Sequence, residues 1–192
     1  MRVLLEMELG RSILVGDGRE SSSQYKIDEE KIRPIATDDE VYSIKAEYKD
    51  AENFFEAVIK AMPEYEGSGK PTMYIDPAVL ADVKLLKGSD GRWLSGHIPS
   101  NQEIATLLGM SDIKETTFLK GTGKAIVVNL SDYTVGSTKG GQVTSFSDFD
   151  IDFNKYKYLI ETRLSGALTI PKSAIVFSKS GATGDPESPV AG

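Results

Sequence analysis

The sequence has no cysteine, a single histidine and a single tryptophan. Without thiols it can build neither a disulfide framework nor a thiolate metal site. It also has no dense run of lysine or arginine. The net charge is -7 and the pI near 4.9, so the basic footprint of a nucleic-acid binder is missing. No apolar run approaches the ~20 residues that a membrane-crossing helix needs. Charges at Arg2 and Glu6 come too early for a signal peptide, so a soluble cytoplasmic protein is the expectation.

Enough remains to build a core. Forty per cent of the 192 residues are hydrophobic, which suits one large domain or two small ones. Eighteen glycines and eight prolines point to many turns rather than to disorder.

The pattern reads as α+β. A helix is expected from the first residues, with Val3, Met7 and Leu14 on one stripe widened by Leu5, Leu9 and Ile13. It stops at Gly16-Asp17-Gly18. An extended stretch is expected near Ile32 to Ile35, and a strand from Val41 to Tyr48 with Tyr42, Ile44 and Ala46 on one face. A second helix follows from Asp50 to Met62, ended by Pro63. Thr72 to Ile75 reads as a strand, and Asp76-Pro77 opens a third helix closed by Gly88. Ser100-Asn101-Gln102-Glu103 is a capping box before a fourth.

The remainder reads as β. Phe118-Leu119 and Ala125 to Leu130 are expected to form a hairpin around Gly121-Thr122-Gly123. Tyr133 to Val135 and Gln142 to Phe146 are expected to form another around Gly136 to Gly141. Ser147 to Lys155 alternates strictly and reads as one strand with Phe149, Ile151 and Phe153 buried and Asp148, Asp150, Asp152 and Asn154 outward. Tyr158 to Leu164 and Ala174 to Phe177 are further strands. Residues 179–192 are small, polar and read as a flexible tail.

Candidate chemistry thins on inspection. Ser95 and His97 are too close in sequence to face each other as a catalytic pair, and no Gly-x-Ser-x-Gly elbow occurs. Gly121-Thr122-Gly123-Lys124 lacks the spacing and following helix of a phosphate loop. Asp148, Asp150 and Asp152 imitate the first ligands of a calcium loop, but Phe153 and Leu159 stand where it requires Gly and Glu. Three carboxylates on one strand repel each other, so basic groups on a neighbouring strand or subunit are expected to answer them. No catalytic residue, metal or cofactor is expected from these residues.

Four stretches together resemble the major capsid proteins of tailed phages, which share the Hong Kong phage fold with bacterial encapsulin shells. They are Leu9 to Arg19; Tyr74 to Pro77 with Leu85 to Leu94; Asp148 to Asn154; and Tyr158 to Leu164 with Gly166-Ala167-Leu168 and the closing strand. The resemblance implies an α+β capsid fold whose N-terminal arm, extended β-loop and most of the spine helix are missing, so the chain is read as a C-terminal portion from a phage or prophage. It implies a peripheral domain (1–35 and 142–178) and an axial domain (36–141).

The function implied is that of a structural major capsid protein building an icosahedral virion shell around DNA, assembled in the bacterial host cytoplasm. The partners implied are other copies of itself, as pentamers and hexamers, with scaffolding, protease and portal proteins. No membrane and no sequence-specific nucleic-acid contact is implied. Asp148, Asp150, Asp152 and Arg163 are expected at inter-subunit contacts. In some family members an Asn is attacked by a neighbour's Lys with a Glu as base, and Asn154 and Glu161 stand at the matching positions. The alternatives are an encapsulin-like shell, or a ligand-binding α+β protein with a concave pocket at Asp148 to Asp152.

Overall fold

A computed structural model describes residues 2–87, 91, 97–137 and 143–180. Helix α1 is Arg2–Val15, α2 Ala51–Ala61, α3 Pro77–Lys84 and α4 Asn101–Leu107. The strands are β1 Ser43–Tyr48, β2 Thr72–Ile75, β3 Asp112–Glu115, β4 Lys124–Val128, β5 Tyr133–Ser137, β6 Thr144–Asp150, β7 Lys155–Glu161, β8 Leu164–Leu168 and β9 Ala174–Lys179. They form two compact units: Met1–Asp38 with Tyr133–Thr169, and Asp39–Asp132 with Ile170–Gly192.

The second unit is built on a five-stranded mixed sheet in the order β1-β9-β4-β2-β3. β1 runs parallel to β9 and β2 parallel to β3; β4 is antiparallel to both its neighbours. The central strands Ala125-Ile126-Val127-Val128 and Ala174-Ile175-Val176-Phe177 are buried at every position. That is why they read as continuous apolar runs rather than alternating ones. Ala125, Val127, Ile175 and Phe177 join Met73 and Ile75 in one core with Phe54 and Val58 of α2, Leu80 and Val83 of α3 and Ile104 of α4.

Phe54 is its aromatic centre. Its ring meets Tyr48 edge-on at 4.9 Å and Phe177 edge-on at 5.7 Å, geometries that add to simple burial. The Tyr48 hydroxyl donates to the Gly123 carbonyl at 2.8 Å. Burial, with Asp76 and Asp82 nearby, pushes this phenol up to about 12.

The helix ends follow the sequence signals. The Asp50 side chain accepts from the Asn53 amide, Asp76 from Ala78, and Ser100 and Glu103 form the reciprocal capping box. Asp76 does more than cap: its second oxygen accepts from the Gly123 amide at 3.0 Å, tying the start of α3 to the start of β4. Gly121 and Gly123 both take positive φ.

In the first unit, α1 stops where Gly16 and Gly18 take φ of +82° and +67°. Between them Asp17 is buried. Its carboxylate accepts from the amides of Ile27 (2.7 Å) and Arg19 (3.1 Å) and pairs with the Arg19 and Lys26 side chains. Burial alone would raise this carboxyl, but those amides and cations outweigh it and hold it below the usual carboxylate range. The loop then bridges Ile32 to Gly166, with Arg33 N–H donating to the Gly166 carbonyl and Gly166 N–H to Lys31. Of the predicted α1 stripe only Leu14 is buried; Val3 and Met7 are exposed.

Several expectations need correction. Phe118-Leu119 is not a hairpin arm. It lies in a 3-10 turn capped by the Thr116 hydroxyl, while β4, apolar on both faces, takes the middle of the sheet between β2 and β9. β5 pairs with β8, not with the Gln142 to Phe146 segment, and β6 pairs with β7. The strand expected from Ser147 to Lys155 ends at Asp150, and Ile151 to Asn154 is a turn with Asn154 at φ +48°. The period-two pattern of residue types runs on past the end of the strand, so alternation alone did not mark the turn.

Residues 133–137 go with the first unit through β8, and β9 goes with the second through β1 and β4. Within the expected stretches, residues 88–90 (with Gly88, expected to close the third helix), 92–96, 138–142 and the tail from 181 lie outside the described residues.

Candidate self-association surface

Strands β6 and β7 form a hairpin of seven residues on each arm, in the register Thr144↔Glu161 to Asp150↔Lys155. They contact each other extensively and no other helix or strand comparably among the described residues. Directly opposed residues of an antiparallel pair share a face. One face therefore carries Phe146 with Leu159, Asp148 with Lys157, and Asp150 with Lys155. The other carries Ser147 with Tyr158 and Phe149 with Tyr156.

The second face is an aromatic stripe. Phe149 lies 4.9 Å from Tyr156, and Tyr156 stacks on Tyr158 at 6.2 Å. None of the three is buried, and Ile151 (82% exposed) and Phe153 (71%) stand out at the turn. This corrects the expectation of a buried Phe149–Ile151–Phe153 side. A two-stranded hairpin in water is marginal, and exposed apolar clusters of this extent are typical of contact surfaces.

One of the carboxylates is answered within the hairpin. Lys157 forms an ion pair with Asp150, diagonally across from its directly opposed partner Asp148. Asp152 lies in the turn and Arg163 is exposed beyond β7. Sequence reasoning missed Lys155 and Lys157 as the basic partners and Tyr156 and Tyr158 as the stripe. The signal was present in Lys155-Tyr156-Lys157-Tyr158, a charged-aromatic alternation matching Asp148-Phe149-Asp150.

Asn154 and Glu161 stand at opposite ends of β7. Seven residue steps of extended chain separate them by roughly 23 Å, so within one chain they form no common site. His97 hydrogen-bonds Glu103 at 3.0 Å, beside the capping box. Among the described residues no cluster of three or more acidic or histidine side chains could hold a metal, and no helix is long and apolar enough to cross a membrane. A cleft of about 450 Å³ lies in the second unit, lined by Phe55, Val83, Leu86, Pro99, Ile104 and Leu107, not by the aspartates.

Residues 5–179 match the profile of the phage capsid family. The chain belongs to the phage capsid family. It is 26% identical over 139 residues to the major capsid protein of Lactococcus phage c2, covering 72% of this chain and 28% of that one. Its fold is similar to a structure from Gordonia phage Cozz (TM-score 0.65, 15% identity, 94% of this chain and 61% of that one). It is also similar to the capsid of an empty GTA particle (0.60, 12%, 93% and 64%) and to a virus-like particle from Pyrococcus furiosus (0.53, 14%, 77% and 60%). The family thus agrees with the α+β capsid fold that the resemblance implied. The chain spans less than two thirds of each of these relatives.

Proposed function

We propose that this chain is part of a structural major capsid protein, whose copies assemble into a closed icosahedral phage shell around DNA. The observation that carries the proposal is the match of a capsid family over residues 5–179, joined to a hairpin whose apolar residues are left for another molecule to cover. In this reading the first unit is the peripheral domain and the second the axial domain. Axial domains meet around five-fold and six-fold axes as pentamers and hexamers. Scaffolding, protease and portal proteins are its partners, and the shell forms in the host cytoplasm before it becomes the virion capsid. The net charge of -7 suits a wall that does not grip the genome tightly.

A genome-free shell of the encapsulin type is the second reading, favoured by the similarity to the virus-like particle. The two differ in what is enclosed. Negative-stain electron microscopy and sedimentation of the full reading frame containing this chain test the shell itself. Closed particles of uniform size are expected; a monodisperse monomer at every concentration would remove the proposal. Nucleic-acid content of particles recovered from the native host, read from the ratio of absorbance at 260 and 280 nm, separates a phage head from a cargo shell.

A further inference from the structure

Of the five strands in the sheet of the second unit, one of the most central comes last in the chain. β9 lies between β1 and β4, in the order β1-β9-β4-β2-β3. It pairs with β1 from Ser43↔Ala174 to Tyr48↔Lys179, and with β4 from Lys124↔Ser178 to Val128↔Ala174. Among the described residues β1 has no other ladder partner. Ala174 to Phe177 are buried at every position. Ile175 and Phe177 belong to the core, and the Phe177 ring meets Phe54 of α2.

The flanks of β9 are tied to the same elements. The Lys172 amide donates to the Val41 carbonyl, the Lys179 amide to the Gly123 carbonyl and the Ser180 amide to the Tyr48 carbonyl at 2.7 Å. The Ser180 hydroxyl donates to Glu47 across 133 residues of chain. Contacts so distant in sequence cost loop-closure entropy before they return any packing.

Between β4 and β9 the chain leaves for the first unit, over Tyr133–Thr169. That unit is discontinuous too, since Gly166 beside β8 bonds back to Lys31 and Arg33. The first unit therefore waits for β8, and the second waits for β9. Without β9, no ladder would join β1 to β4, the Phe54 cluster would lack Phe177, and the buried run Ala125–Val128 of β4 would lose its partner on one side.

We propose that insertion of β9 between β1 and β4 closes the second unit, and that this step times self-association: a chain joins other copies only once β9 is seated. The timing rests on the shell reading above; the insertion does not. A chain still in synthesis, or cut short before Ala174, then has no finished second unit to offer a neighbour and stays out of the shell.

Pulse-labelling hydrogen exchange during refolding of the full reading frame from urea reads the order of events. Amides of β1, β2, β4 and β9 are expected to become protected in one kinetic phase. Protection of β2 and β4 tenfold or more ahead of β9 would overturn the insertion step, because the sheet would then stand without β9. Ile175→Val removes one methylene group and should still fold, so exchange from its native state gives a second reading. It is expected to lower protection in β1, β2 and β4 by one common factor of about threefold or more. A loss confined to β9 would overturn the proposal.

Electron microscopy of the same refolding mixture reads the timing. Closed particles are expected only after β9 is protected, and particles formed earlier would overturn it. A refolded chain that forms no particle at any concentration would overturn the shell reading and the timing with it, while single-phase protection would still support the insertion of β9.

Discussion

Lys157 reaches diagonally across the hairpin to Asp150, while the residue directly opposite it is Asp148. Its ammonium is thus paired off the ladder's own register, with the carboxylate two residues along the neighbouring arm. The pair offsets one of the negative charges along β6. Exposed pairs of this kind are worth about 0.2–1 kcal/mol each, so they guide partner choice more than they hold the fold. Lys157→Met is expected to leave the melting temperature of the chain nearly unchanged. It should reduce the salt dependence of self-association, measured by light scattering from low salt to about 1 M, where exposed charges are screened.

The second unit depends on Phe54. It is buried against Tyr48 and Phe177. Phe54→Ala is expected to cost about 3–5 kcal/mol by urea denaturation. The same change at exposed Phe153 should cost little.

Gly166 supports the first unit by having no side chain. A Cβ there would stand 2.5 Å from the Tyr133 ring, and the Gly166 backbone bonds to both Lys31 and Arg33. The Tyr133 hydroxyl is itself held, donating to the Arg33 carbonyl at 3.0 Å. Gly166→Ala is expected to destabilise by about 1–3 kcal/mol. Hydrogen exchange should show the loss at residues 31–33 and in β5 and β8.

Asp17 makes stability depend on acid. Its folded pKa lies below the ordinary 3.8. Its contribution is therefore complete above that value and is lost as pH falls through the lower folded value. Asp17→Asn is expected to destabilise the protein at pH 7 by about 1–3 kcal/mol. It should also flatten the acid limb of a stability-against-pH curve.

Alkaline conditions act in the opposite sense. Burial pushes the phenols of Tyr48, Tyr65 and Tyr133 up to about 12. Their neutral forms suit the fold, so stability is full below the ordinary value of 10.0 and declines as pH rises from there toward about 12. Titration of absorbance at 295 nm should show these three phenols, and Tyr74, which burial also raises, still protonated above pH 10. Their ionisation should coincide with loss of the circular dichroism signal.

Local chemistry was the legible part of this fold. Asp50, Asp76-Pro77 and the Ser100–Glu103 box mark helix starts because capping is decided within four residues. Gly16 and Gly18 mark the end of α1 for the same reason. Strand pairing was not legible, because nothing local tells β5 to choose β8 over the nearer Gln142 to Phe146 segment. The unbroken apolar run of β4 did carry a clue: a strand buried on both faces belongs in the middle of a sheet and not in an isolated hairpin. At the surface, the period-two pattern from Ser147 to Lys155 showed that aspartates and aromatics would separate. It hid the turn at Ile151 to Asn154, and with it the lysines that face those aspartates.

Hydrogen–deuterium exchange of the hairpin amides in assembled particles and in dissociated subunits tests the central claim most directly. The account predicts that residues 144–150 and 155–161 exchange fast in subunits, as a lone hairpin should, and slow by tenfold or more in shells, where the aromatic face is covered. Equal, fast exchange in both states would contradict it, leaving a shell whose contacts lie away from this hairpin.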